Sequence, residues 1–125
     1  MPSPKPSRLI AVVEDDRAVL DALEFTLQTQ GYAVCAFERA REALRSRTVA
    51  GADCLVIDYA MPEMDGITLL QELRRRGLRC PAIIIASNPP PECLKGVLAF
   101  DALLLEKPLM DDVLGRAIRD LTAKK

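Results

Sequence analysis

Residues 56–66 read VIDYAMPEMDG. The run CLVI, residues 54–57, is apolar and β-branched, which is the pattern of a buried strand. It carries one carboxylate, Asp58, to its tip and then stops. Met61-Pro62 and Asp65-Gly66 break the chain within the next few residues. A lone aspartate at such a place can cap a turn, bind a metal or act as a nucleophile. The pattern on either side decides among these.

Apolar runs and amphipathic stretches alternate outward from this stretch. The runs are RLIAVV (8–13), AVCAF (33–37), DCLVI (53–57), PAIIIA (81–86) and ALLLE (102–106). Between the first two, Val19, Leu20, Leu23 and Leu27 share one helical face, with Gly31 as its stop. Residues 38–47 have a weaker face of Ala40, Ala43 and Leu44. Asp65 caps a helix bearing Ile67, Leu69, Leu70 and Leu73, and Gly77 ends it. NPPP (88–91) precedes a short helix with Cys93, Leu94, Val97 and Leu98. A last helix carries Val113, Leu114, Ala117, Ile118 and Leu121. The central runs are almost continuously apolar, so both faces of those strands must be covered, and a parallel sheet between two helix layers does that. The fold class read from this is α/β: a doubly wound five-stranded parallel sheet, (βα)5 and flavodoxin-like, in strand order 2-1-3-4-5.

Composition narrows the function. The chain has 125 residues, enough for one domain over residues 8–122, with residues 1–7 (MPSPKPS) read as a flexible tail and no output domain expected. A net charge of −1 gives no electrostatic case for nucleic acid or an anionic membrane. No apolar run has the length of a membrane span, and no apolar signal segment opens the chain, so a cytoplasmic location is expected. The four cysteines, Cys35, Cys54, Cys80 and Cys93, form no C-x-x-C pair and read as small buried hydrophobes in a reducing compartment. There is no histidine, which excludes His-based acid–base or triad chemistry and a phosphohistidine on this chain. No G-x-G-x-x-G follows the first strand, which argues against dinucleotide binding.

In a sheet of this kind, ligands bind beyond the carboxyl ends of the strands, where the strand order reverses. Strand 1 ends in Glu14, Asp15 and Asp16, strand 3 in Asp58, and strand 5 in Lys107-Pro108. Packed carboxylates repel each other, and burial makes the repulsion worse. A divalent cation would relieve it. An all-oxygen ligand set points to Mg2+, with Mn2+ possible. A lysine is out of place in a pure cation cage but fits a site that also holds a phosphoryl group. The physical reading is an aspartate that accepts a phosphoryl group beside a metal and a counter-charge. Alone, each residue has a plainer role: Asp16 and Asp65 as caps, Lys107 as a surface lysine, Arg74-Arg75-Arg76 as a solvated helix end.

VVEDD, VIDYAMPEMDG and LLLEKP, in this order on this βα pattern, resemble the receiver domain of two-component response regulators from about Arg8 to Leu121. The resemblance implies a bacterial phosphorelay protein whose Asp58 takes a phosphoryl group from a histidine kinase or a histidine phosphotransfer protein. Asp15 and Asp58 would ligate Mg2+, joined by the Ala60 backbone carbonyl, with Glu14 assisting through a water. Lys107 would pair with a phosphoryl oxygen, and the Lys107–Pro108 peptide would be cis. Such a chain is not a conventional enzyme; it catalyses its own aspartyl phosphorylation and dephosphorylation. The change would pass to a downstream protein through the helix 4–strand 5–helix 5 face.

The sequence departs from that family at its switch. The position of the usual Thr or Ser at the end of strand 4 holds Ala86, with Ser87 one residue on. The usual aromatic position in strand 5 holds Leu104, and the glycine position after helix 4 reads as Phe100. Two readings stand: Ser87 swings in through a shifted loop to supply the hydroxyl, or the domain is phosphorylated and signals by another route; weak or altered activation is expected, with the chemistry retained. The alternative is a receiver-like interaction module whose phospho-switch is vestigial. An aspartate-dependent hydrolase of the haloacid dehalogenase type would need a second acid at position 60, which is Ala60.

Overall fold

Strands β1 (Leu9–Val13), β2 (Ala33–Phe37), β3 (Cys54–Asp58), β4 (Ala82–Ala86) and β5 (Leu103–Glu106) pair in parallel in the order β2-β1-β3-β4-β5. The computed structural model describes residues 7–110 and 112–123, so all but Ser7 of the expected tail lies outside the described residues. The strand order is the expected one. Five helices connect and close the sheet: α1 (Arg17–Thr29), α2 (Ala40–Arg45), α3 (Gly66–Arg75), α4 (Pro91–Ala99) and α5 (Val113–Ala123). A 3-10 turn at Thr48–Gly51, which the sequence reading does not contain, joins α2 to β3.

Two apolar layers hold the helices on the sheet. Ala11, Val13, Leu55, Ile57 and Ile84 face α2, α3 and α4. Ile10, Val12, Cys54, Val56 and Ile83 face α1 and α5 through Leu20, Leu27, Leu114 and Ile118. Every residue of β3 and β4 is buried. Each large side chain removed from water contributes about 1.5–3 kcal/mol, so the middle of the sheet is its most strongly held part. The outer strands β2 and β5 are only partly covered.

The helix ends follow their residues. Asp16 accepts from Ala18 N at 3.0 Å and Val19 N at 3.2 Å, and Asp65 accepts from Thr68 N at 2.8 Å. Gly31 and Gly77, each at φ +96°, follow α1 and α3 and allow the left-handed exit that ends both helices.

Three local expectations are corrected. The apolar face read for α4 is not all core: Cys93, Gly96 and Val97 are buried, whereas Leu94 is 45% and Leu98 83% exposed. The cause is close packing on α3. A Cβ at Gly96 would stand 2.4 Å from Ile67 Cγ2, so the Gly96 side of the helix faces inward and the Leu94–Leu98 side faces out. The left-handed residue after α4 is Asp101 (φ +52°), while Phe100 is the C-cap with φ −106°. Of the free cysteines, Cys54 and Cys93 are buried and Cys35 and Cys80 are half-buried. Burial pushes the Cys54 thiol up to about 12, so it is not a nucleophile at neutral pH.

Candidate functional site

Strand pairing carries the site residues to one edge. Ile57 lies opposite Val13, Asp58 opposite Ile85, and Ala86 opposite Glu106. Two backbone bonds fix the strand tips beyond the ladder: Tyr59 N–H donates to Ile85 O at 2.8 Å, and Lys107 N–H donates to Ala86 O at 2.9 Å. Gly66 holds the loop against the site. Its N–H donates to Tyr59 O at 2.8 Å, and a Cβ there would come within 2.5 Å of the Asp58 carbonyl oxygen. A side chain at position 66 would displace the tip of β3.

Glu14, Asp15 and Asp58 each bring a carboxylate oxygen into one group whose atoms lie within 4.8 Å of one another. Asp15 is exposed, whereas Glu14 and Asp58 are only 2% and 5% exposed. Lys107 Nζ stands 2.8 Å from Asp58 Oδ1 and 3.5 Å from Glu14 Oε1. Glu14 Oε2 also accepts from Asp16 N at 3.1 Å. The Lys107–Pro108 peptide is cis.

The electrostatics follow from this burial. Burial raises the Asp58 carboxyl above its ordinary range, and the Lys107 ammonium only partly counters the effect. Burial also raises Glu14; the Asp16 backbone N–H opposes it and the Asp58 charge adds to it. Burial lowers Lys107, but its contacts with Asp58 and Glu14 outweigh that and its proton is held more tightly. Two buried carboxylates therefore share one cation, which leaves the pocket short of positive charge. The shortage, the all-oxygen donors and the open side at Asp15 fit a divalent cation of the Mg2+ type.

The remaining expected residues are less closely engaged. Ala60 is exposed in the loop after β3. Ala86 is buried at the tip of β4 and has no hydroxyl to offer. Ser87 is exposed, and Leu104 is half-buried in β5. Ser87 lines a groove of about 640 Å3 together with Glu14, Lys107, Ala22, Leu23 and Leu109. This groove joins the pocket to the gap between α1 and the start of α5, and no spacing in the sequence marks it. A larger depression of about 1030 Å3 lies at the other end of the sheet, beside Asp53, Arg74 and Cys80. Asp53 and Asp101 line it, and among the described residues the group of three acids lies at the carboxyl edge instead.

The family model for the response regulator receiver domain matches residues 10–119. The chain belongs to this family. The receiver is 31% identical over 112 residues to the response regulator protein TodT of Pseudomonas putida, covering 89% of this chain and 49% of that one. It is 32% identical over 104 residues to the transcriptional regulatory protein FixJ of Bradyrhizobium diazoefficiens, covering 82% and 51%. The receiver thus spans about half the length of these curated relatives. A CheY-like receiver domain from Methanospirillum hungatei has the same fold, with a TM-score of 0.86, 23% identity, and coverage of 95% of this chain and 96% of that one. Among the described residues, no helix is long and apolar enough to cross a membrane.

Proposed function

We propose that Asp58 is the phospho-acceptor of a two-component relay. The carrying observation is its burial in an acid pocket with Lys107 at 2.8 Å. Lys107 engages Oδ1, and the second carboxylate oxygen attacks the phosphorus of a phosphohistidine on a kinase or phosphotransfer protein. A P–O bond forms as the P–N bond breaks, and the imidazole leaves with the bonding pair. Lys107 then turns to a phosphoryl oxygen and offsets the new negative charge. Asp15, Asp58 and the Ala60 carbonyl would hold Mg2+, with Glu14 assisting through a water. When bound, the ion would supply charge that one lysine cannot. The relay would run in the cytoplasm of a bacterium.

Readout would pass through α4, β5 and α5. Leu94, Leu98, Leu103 and Met110 are exposed on or beside these elements. Ala86 offers no hydroxyl to the phosphoryl group, which removes a charge-assisted contact of about 1.5–3 kcal/mol. That is the size of the coupling free energies that operate switches, roughly 1–3 kcal/mol. Activation should therefore be weak by that route.

The test is intact mass after incubation with Mg2+ and a small phosphodonor. One added phosphoryl group, removable by hydroxylamine and missing from Asp58→Asn, supports the assignment. No gain with small donors or a cognate kinase would sink it. Ala86 and Leu104 favour a second reading, a receiver-like binding module with a vestigial switch. That reading requires equal partner affinity with and without phosphorylation.

A further inference from the structure

Half of the chain's twelve arginines fall in two short segments away from the acid pocket. Residues 44–51 hold two arginines and no acid, and residues 72–79 hold four arginines and one glutamate, a net charge of +5 in a chain whose total is −1. The structure brings these two segments together, because Arg76 Nη1 donates to Leu44 O at 2.6 Å. Between them lies an apolar notch of about 200 Å3, lined by Leu44, Val49, Ala50, Leu73 and Leu78. Arg45, Arg47, Arg75, Arg76 and Arg79 are exposed and sit in, or next in sequence to, its lining. Glu72 takes up Arg75 at 2.7 Å and Arg76 at 3.2 Å. Among the described residues, Arg45, Arg47 and Arg79 make no ion pair within 4 Å, although Glu42 and Glu63 line a depression with Arg45, and Asp53 and Asp101 line one with Arg79.

We propose that this face docks an acidic segment of another protein and seats one aliphatic side chain in the notch. The unpaired guanidiniums present forks that match carboxylates two oxygens at a time. A charged rim steers the encounter, while a buried apolar anchor supplies most of the affinity and the register. Nucleic acid fits less well, because none of the lining side chains is aromatic and the patch holds no platform for stacking a base. A membrane surface fits less well too: the apolar part is recessed, and of the exposed large hydrophobics Phe25, Leu94, Leu98 and Met110 lie elsewhere, with Leu103, 37% exposed, bordering the face. The proposal does not depend on the chemistry of Asp58.

The experiment is fluorescence anisotropy with a short Glu/Asp-rich peptide carrying one central leucine. Its comparisons are the same peptide with serine in place of the leucine, a single-stranded oligonucleotide and anionic phospholipid vesicles. The leucine peptide should bind about tenfold more tightly than the serine peptide, as expected for one buried aliphatic side chain, and its binding should weaken with salt. The double variant Arg45→Glu/Arg79→Glu should lose about tenfold or more in affinity and still take up phosphate as the wild type does. Arg45→Gln/Arg79→Gln should lose less, which guards against a folding artefact in the charge reversal. Equal affinity for the two peptides, indifference to charge reversal, or tighter binding of the oligonucleotide or vesicles would overturn the proposal.

Discussion

The acid pocket and the α4–β5 region sit at one edge of one sheet, yet they are built on opposite terms. In the pocket, charge is buried: Glu14 and Asp58 share a single lysine. In the α4–β5 region, apolar surface is exposed, while Ala86 at the tip of β4 carries no hydroxyl and Leu104 within β5 no aromatic ring. The first arrangement stores unfavourable electrostatics that a cation would relieve. The second has no polar link to the first among the described side chains. On the function proposed above, acceptance and transmission rest on different residues of this chain.

Two glycines divide the comparison most sharply. Gly66→Ala would place a Cβ 2.5 Å from the backbone oxygen of Asp58. Backbone cannot give way as a side chain can, so a loss of about 2–3 kcal/mol is expected in urea unfolding, together with slower phosphoryl uptake. Gly96→Ala meets only the Ile67 side chain, at 2.4 Å. It should lose about 1–2 kcal/mol and leave uptake unchanged. Equal uptake defects in the two variants would break the division.

Lys107→Ala removes the cation shared by two buried carboxylates. A loss of about 1–2 kcal/mol at neutral pH is expected, reduced because Lys107 itself is partly solvated. The penalty exists only while Asp58 and Glu14 are ionised. It should therefore fade as the pH falls and the two groups take up protons. A loss that does not depend on pH would mean that Lys107 acts through packing.

Asp58→Asn should have the opposite sign. The folded-state carboxyl lies above its ordinary value. Its contribution to stability is thus full below the ordinary carboxylate range and lost as pH rises through the raised value. At neutral pH the ionised group is a liability, and the amide should gain on the order of 1 kcal/mol, as site residues often do when replaced. The gain should shrink in acid. Lower stability of Asp58→Asn at neutral pH would contradict the electrostatic account.

The smallest effect is expected at Leu98→Ser. With Leu98 83% exposed, stability should change by less than about 0.5 kcal/mol. Any larger consequence should appear in partner binding. A large change in stability would mean that α4 buries Leu98 after all.

Most of the frame was legible because it rests on local rules. The continuous apolar runs of β3 and β4 are strands covered on both faces, and Asp16, Asp65, Gly31 and Gly77 punctuate the helices where their chemistry predicts. The pocket was legible because parallel strands bring their tips to one edge whatever the loops do. What failed depended on distances between helices. The inward side of α4 was set by contact with Ile67, and periodicity alone cannot choose Gly96 over Leu98 for that contact. The Arg76–Leu44 contact joins residues that no motif relates, so sequence alone reads Arg74-Arg75-Arg76 as a solvated helix end.

The separation of acceptance from transmission is tested most directly by the initial rate of phosphoryl incorporation. It is measured by intact mass with Mg2+ and a small phosphodonor, in the wild type and in Ala86→Thr. The account predicts that both take one phosphoryl group at comparable rates, because Asp58, Lys107 and the acid cluster are unchanged. A wild type that stays unmodified while Ala86→Thr is phosphorylated would contradict it.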